Sequence, residues 1–232
     1  MKILLFDIDG TLVRAGGAGR KALNRAAYIL WGKKNVCNEF NLAGQTDLAN
    51  FHMAVEKGTG RKVTPSQVER LHKEYLKHLP YYVQTAIRKN TYILPPGIKA
   101  LLKRLGREKG VLLGLGTGNI ERGARLKLEP SGFNAYFLFG GFGSDSFHRP
   151  TLLKKAVRRA KKFTGEPISP SEVYVIGDTP LDVSAGKKAG YKTIAVGTGF
   201  ASWQSLVKAA PDHLARDFRG ISKWLRWFKI KS

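Results

Sequence analysis

The chain has 232 residues, 43% of them hydrophobic, which is enough for one large domain or two smaller ones with cores of their own. Its formal charge of +23, from 40 basic and 17 acidic residues, favours encounter with phosphates, nucleic acid or anionic membranes without choosing among them. No window supplies the roughly 18 consecutive apolar residues of a membrane span and no signal peptide is visible, while a single cysteine, Cys37, excludes an internal disulfide and a thiolate zinc cluster, so a reducing cytoplasm is the expected setting.

The first element is the short apolar run from Lys2 to Ile8, which has no room for polar alternation, as expected for a strand buried on both faces of a parallel sheet. From about Arg14 to Tyr92 the pattern changes to helical segments without a convincing buried strand. Leu48, Phe51, His52 and Val55 form one helical stripe, and Val68, Leu71, Tyr75 and Leu79 another. Pro95-Pro96 then punctuates a return to alternating elements. Helix Gly97–Lys109 presents Ile98, Leu101, Leu102 and Leu105; buried strands follow at Val111–Leu115, Val173–Ile176 and Thr193–Val196, with a helix carrying Leu152, Leu153, Ala156, Val157 and Ala160 between them. Near the C-terminus Ile221, Trp224, Leu225 and Phe228 make a stripe interleaved with Lys223, Arg226 and Lys229, suited to covering the sheet or, alternatively, to an anionic membrane surface. The expected fold is α/β, a doubly wound parallel-sheet (Rossmann-like) core with an inserted all-α segment.

The polar residues gather where strands end. Asp7 and Asp9 lie at the end of the first strand, two apart and so on one side, and Gly10 frees the backbone to turn. Two such carboxylates favour a shared proton or a bound cation, although a capping or turn role fits equally. Asp178 and Asp182 follow the strand Val173–Ile176; carboxylates from two strand ends can converge on a hard cation such as magnesium, and Asp178 can also serve as a helix cap. Thr117-Gly118-Asn119 follows another strand and opens a helix, a place where a hydroxyl and free N–H groups suit a phosphate oxygen, or where the chain simply turns. Arg149, before Pro150, supplies a cation with a fixed fork, with Lys154 and Lys155 as rivals deeper in the helix.

Taken together, Asp7-Ile-Asp9-Gly-Thr-Leu12, Thr117-Gly118-Asn119, Arg149 and Gly177-Asp178-x-x-x-Asp182 resemble the haloacid dehalogenase superfamily, in its phosphoglycolate-phosphatase-like branch with a helical cap. The resemblance implies residues 1–13 and 94–232 as the phosphoryl-transfer core and residues 14–93 as a cap that selects the substrate. It implies a magnesium-dependent phosphatase of small phosphate monoesters, phosphoglycolate among them, working through an aspartyl-phosphate. Asp7 is then the nucleophile and Asp9 the acid and base. Magnesium is held by the Asp7 carboxylate, the Asp9 backbone carbonyl and Asp178, with Asp182 binding through water or orienting its neighbours. Thr117, Gly118, Asn119 and Arg149 hold phosphate, and Arg20 and Lys21 of the cap, with Arg14, Gln45 and Asp47 nearby, are candidates to contact the leaving group. Arg149 departs from the lysine usual in this branch. The partner is a small phosphorylated metabolite. Rival readings are a phosphomutase of the same superfamily, or a basic nucleic-acid- or membrane-binding protein on this scaffold.

Overall fold

A computed structural model of the chain describes residues 1–230. The N-terminal apolar run forms β1 (Lys2–Phe6), and the chain then leaves the sheet through β2 (Arg14–Ala15) into three helices, α1 (Ala18–Trp31), α2 (Asp47–Thr59) and α3 (Pro65–Arg88). It returns through β3 (Tyr92–Ile93) to α4 (Ile98–Leu105), β4 (Val111–Gly116), α5 (Glu121–Leu128), β5 (Phe139–Gly141) and α6 (Arg149–Thr164). The last elements are β6 (Val173–Gly177), α7 (Pro180–Ala189), β7 (Lys192–Val196), α8 (Trp203–Lys208), β8 (His213–Ala215) and α9 (Ile221–Trp227).

Six strands pair in parallel in the order β5-β4-β1-β6-β7-β8. Strand alternation divides the core. Leu4, Phe6, Tyr174, Ile176 and Ile194 face one side, where Leu101, Ala124 and Trp224 of α4, α5 and α9 cover them. Ile3, Leu5, Val173 and Val175 face the other, beneath Leu152, Leu153 and Ala156 of α6 and Ala185 of α7. The C-terminal stripe goes into this packing: Trp224 and Phe228 have no exposed surface, and burying each large apolar side chain contributes roughly 1.5–3 kcal/mol. Its apolar face is therefore not presented to a membrane. Lys231, the last basic residue of the chain, lies outside the described residues.

The inserted helices build a separate core. Val68, Leu71, Tyr75 and Leu79 of α3 are all buried, as their spacing predicts, against α1 and α2. The stripe on α2 is rotated from its expected centre: Asn50, Phe51, Ala54 and Val55 are buried, whereas His52 is exposed. One core residue, Ile120, also packs into this cluster. The two crossings between insertion and core run side by side, Arg14 opposite Ile93 and Ala15 opposite Tyr92, in an antiparallel pair. Strands β2, β3, β5 and β8 are two or three residues long, too short to show a period in the sequence.

Candidate active site

The chain moves outward from β1 through β4 to β5 and then crosses to β6, so the strand order reverses about β1. A crevice opens at the carboxyl ends of strands around such a switch. Asp7 continues the ladder past β1, its N–H donating to Ile176 at 2.9 Å, and Thr117 does the same beyond β4, donating to Gly141 at 3.0 Å. Gly10 then turns the chain with φ at 86°, and its Cα lies so close to the Asp178 carboxylate that a Cβ has no room. These turns place the functional side chains along a cleft of about 450 Å³ between sheet and insertion, lined by Asp7, Asp9, Gly118, Asn119, Arg149 and Asp178 among others.

On one side of the cleft, Asp7, Asp178 and Asp182 each offer an oxygen within 4.8 Å of the others, and all are buried. Burial pushes Asp7 up to about 7, with the charge of Asp182 adding and Arg149 opposing. Asp178 is raised well above the carboxylate range by burial and by Asp182 and Asp7. Its oxygens accept from Thr11 Oγ1 at 3.3 Å and from the Phe200 N–H at 3.0 Å. Such a crowded set of hard oxygen donors, poor in compensating cations, fits a divalent metal ion. Asp182 is tied on both oxygens. Oδ2 accepts from Thr179 N at 3.0 Å and Oγ1 at 2.6 Å in a capping box at the start of α7, and Oδ1 pairs with Arg149 Nη2.

Arg149, the first residue of α6, also lies 3.7 Å from Asp7 Oδ1 and donates to Gly44 O at 3.1 Å. Burial opposes its charge, but Asp182, Asp7 and Asp178 outweigh that and hold the guanidinium charged. Its rivals are elsewhere: Lys154 is exposed, and Lys155 donates to Asp145 O at 2.6 Å, away from the cleft.

Across the cleft Asp9 turns away from the acidic cluster. Its Oδ2 accepts from Lys127 Nζ at 2.6 Å and Asn119 Nδ2 at 3.0 Å, and Lys127 also donates to Asn119 Oδ1 at 2.5 Å. Asn119 Nδ2 reaches Thr117 Oγ1 at 2.9 Å, so one network joins the ends of β1, β4 and α5. The side chains of Asp7 and Asp9 therefore have separate partners: an acidic cluster with an arginine for the first, a lysine and an amide for the second.

A family model described as haloacid dehalogenase-like hydrolase matches residues 4–196. The chain belongs to this family. Among curated relatives, a phosphoglycolate phosphatase of Aquifex aeolicus is 25% identical over 213 residues, covering 89% of this chain and 90% of its own. Among solved structures, a predicted phosphoglycolate phosphatase of Haemophilus somnus superposes with a TM-score of 0.69 at 19% identity over 97% of both chains. A candidate β-phosphoglucomutase of Bacteroides vulgatus does so with a TM-score of 0.66 at 20% identity over 99% of this chain and 89% of that one. The family, the α/β fold with its helical cap and the resemblance to phosphoglycolate phosphatases thus agree with the sequence reading, and the chain is a hydrolase of this family. No helix among the described residues is long and apolar enough to cross a membrane.

Of the cap residues expected at the cleft, Arg20 lines it but donates to Cys37 O at 2.6 Å. Lys21 does not line it. Its ammonium donates to Gly16 O at 2.8 Å, and Lys21, one residue and about 100° of helix beyond Arg20, lines a separate depression with Tyr28 and Tyr82. Asp47 does line the cleft, its Oδ2 accepting from Ile120 N at 2.9 Å. Lys127 is absent from the sequence-based set. Its signal is present all the same, because it sits on α5 with Gly123, Ala124 and Leu128 on the buried face, where an unpaired lysine is expensive.

Proposed function

We propose that this hydrolase is a magnesium-dependent phosphatase of small phosphate monoesters, with 2-phosphoglycolate the first candidate because curated relatives carry that activity in their names. The observation that carries the reading is the division of the two strand-end carboxylates. Asp7 lies beside Arg149 and two further carboxylates, and Asp9 stands apart on Lys127 and Asn119.

Asp7 attacks phosphorus in line with the ester oxygen, Thr117 Oγ1 and the Gly118 and Asn119 amides hold the phosphoryl oxygens, and Arg149 balances their charge. Asp9 gives its proton to the departing alkoxide and then takes one from the water that attacks the acyl phosphate. Asp7, Asp178 and the Asp9 carbonyl would hold magnesium, which when bound offsets the charge of nucleophile and phosphate. Asp182, with both oxygens engaged, orients Arg149 and the start of α7 in place of binding the metal directly. Residues 14–93 act as the cap and residues 1–13 and 94–232 as the chemical core. A phosphomutase needs the same residues and differs only in the acceptor, so product analysis decides between water and a sugar hydroxyl. The partner is a small phosphorylated metabolite in preference to nucleic acid, and the lone, buried Cys37 fits a reducing cytoplasm.

Asp7→Asn tests the reading. An amide cannot form the acyl phosphate, so turnover with magnesium should fall by at least about 10³-fold while the circular dichroism spectrum is kept. Rapid-quench labelling should place phosphate on Asp7 of the parent. A folded Asp7→Asn protein with parent activity overturns the mechanism.

A further inference from the structure

The chain carries no acidic residue between Asp9 and Glu39, nor between Glu74 and Glu108. Those two stretches hold α1 and the second half of α3, which pack against each other. Their shared outer face is therefore cationic with nothing to neutralise it. Lys21, Arg25, Lys34 and Arg88 are exposed, and among the described residues none of them meets a carboxylate within ion-pair distance, whereas Lys33 beside them pairs with Glu39 at 2.8 Å.

Aromatic rings interleave with these cations. A depression of about 310 Å³ is lined by Lys21, Arg25 and Lys34, by the rings of Tyr28 and Tyr82, and by Asn24 and Asn35. Arg25 and Lys34 both lie over the Tyr28 ring, 5.7 and 6.0 Å from its centroid. Tyr82 meets Tyr81 edge to face at 5.2 Å, and Arg88 lies over Tyr81 at 6.0 Å, so the pattern continues along α3. Tyr28 is 41% and Tyr81 61% exposed, which leaves ring surface for a further flat group to cover. Asn24 Oδ1 accepts from the Cys37 N–H at 2.9 Å, and its NH₂ group has no acceptor among the described residues.

We propose that this face binds single-stranded nucleic acid, with its cations on the phosphates and its tyrosines against unstacked bases. The occupant follows from the way the groups alternate. Cations alone suit any polyanion, but exposed rings set between them match a strand whose bases alternate with phosphates. A duplex keeps its bases stacked on one another and offers such rings nothing. A mononucleotide uses one ring and few of the cations, whereas here they extend over two packed helices. An anionic bilayer takes up an apolar face, and here Tyr28 and Tyr81 each carry a cation over the ring, with amides suited to base edges in the same depression. Helix α1 separates this face from the catalytic cleft, since Ala18, Gly19, Arg20 and Leu23 line the cleft while Lys21, Arg25 and Tyr28 line the depression. The inference is thus independent of the chemistry in the cleft.

The test is fluorescence anisotropy of the full chain with a fluorescein-labelled oligouridylate about 12 nucleotides long and without a terminal phosphate, so that it holds no monoester for the cleft. Affinity should fall about 20- to 50-fold between about 50 and about 200 mM salt, as release of three or four counterions from a single strand requires. At fixed salt, Tyr28→Ala and Tyr81→Ala, which leave the charge unaltered, should each weaken binding about tenfold. Arg25→Glu with Lys34→Glu should weaken it by at least about 30-fold. Lys154→Glu with Arg158→Glu makes the same change in charge at exposed positions of α6 and should weaken it by about threefold at most. Retained circular dichroism spectra separate lost binding from lost fold. Equal losses from the two charge-reversed pairs, parent affinity in both tyrosine variants, or equal binding of a duplex of the same length overturns the proposal. So does displacement of the strand by uridine monophosphate at concentrations near the strand's own Kd, which would make a free nucleotide the ligand. Binding to phosphatidylserine vesicles without binding to the oligonucleotide would make the partner a membrane and overturns it as well.

Discussion

An ammonium taken out of water costs several kcal/mol unless fixed partners replace its hydration. Lys127, whose side chain is 6% exposed, has those partners in Asp9 and Asn119, and although burial opposes its charge, Asp9 and Asp47 together hold it charged. The pair also fixes the rotamer of Asp9, the residue proposed to exchange protons with the leaving oxygen. Lys127→Met keeps most of the packing and removes the charge, so it should lower kcat/KM by about 10²-fold through misplacement of Asp9. A double-mutant cycle with Asp9→Asn checks this: once Lys127 is gone, loss of the Asp9 carboxylate should cost far less than it does in the parent. Fully additive losses would show that Lys127 acts independently of Asp9. The two residues also differ in legibility. Asp7, Asp9, Thr117 and Asp178 lie within one to three residues of strand ends that a run of apolar residues announces, so local sequence suffices to bring them near one another. Lys127, Asn50 and Tyr75 reach the cleft only because α1–α3 dock against α5, and no local period encodes that docking.

Helix α2 shows the same dependence at the scale of an element. Its first residue, Asp47, is joined twice to the core: its N–H donates to Gly118 O at 2.7 Å, and its carboxylate accepts from Ile120 N at 2.9 Å, at the N-cap of α5. A cap helix thus closes the end of a core helix. Burial pushes Asp47 up to about 6, with Lys127 and the Ile120 N–H opposing. The folded state therefore keeps a proton that the unfolded chain has lost. The resulting contribution to stability is complete below about pH 4 and is lost as pH rises through about 6, an effect of up to about 3 kcal/mol. Asp47→Asn retains an acceptor for Ile120 without that titration. Relative to the parent, it should gain stability as pH rises from about 4 to about 7 in urea denaturation. A difference constant across that range would show that Asp47 keeps an ordinary carboxylate affinity for protons. The long strands and the helices flanking them are readable from period and caps, whereas the buried face of α2 departs by part of a turn from its apolar stripe, because it includes the polar Asn50, which lines the cleft.

For the whole molecule, a chain of charge +23 carries a buried cluster in which three carboxylates face one arginine. Without a metal ion, Asp7 is raised to about 7 and Asp178 is raised as well, in both cases by burial first and neighbouring carboxylates second. Folded-state affinities for protons above the unfolded values give stability that is present at low pH and lost as pH rises through about 7. A divalent cation held by the ionised cluster would displace those protons, so its stabilisation should run the opposite way. The rise in Tm on adding magnesium should accordingly be larger at about pH 8 than at about pH 5, by several degrees, at matched ionic strength so that screening of the surface charge cancels. Asp178→Asn removes a proposed ligand and one of the raised carboxyls together. It should flatten the pH dependence of the metal-free protein and abolish most of the magnesium-induced rise at the higher pH. Surface carboxylates, common to both proteins, drop out of that comparison. A rise equal at both pH values, or one that survives Asp178→Asn, would place the metal somewhere other than the ends of β1 and β6.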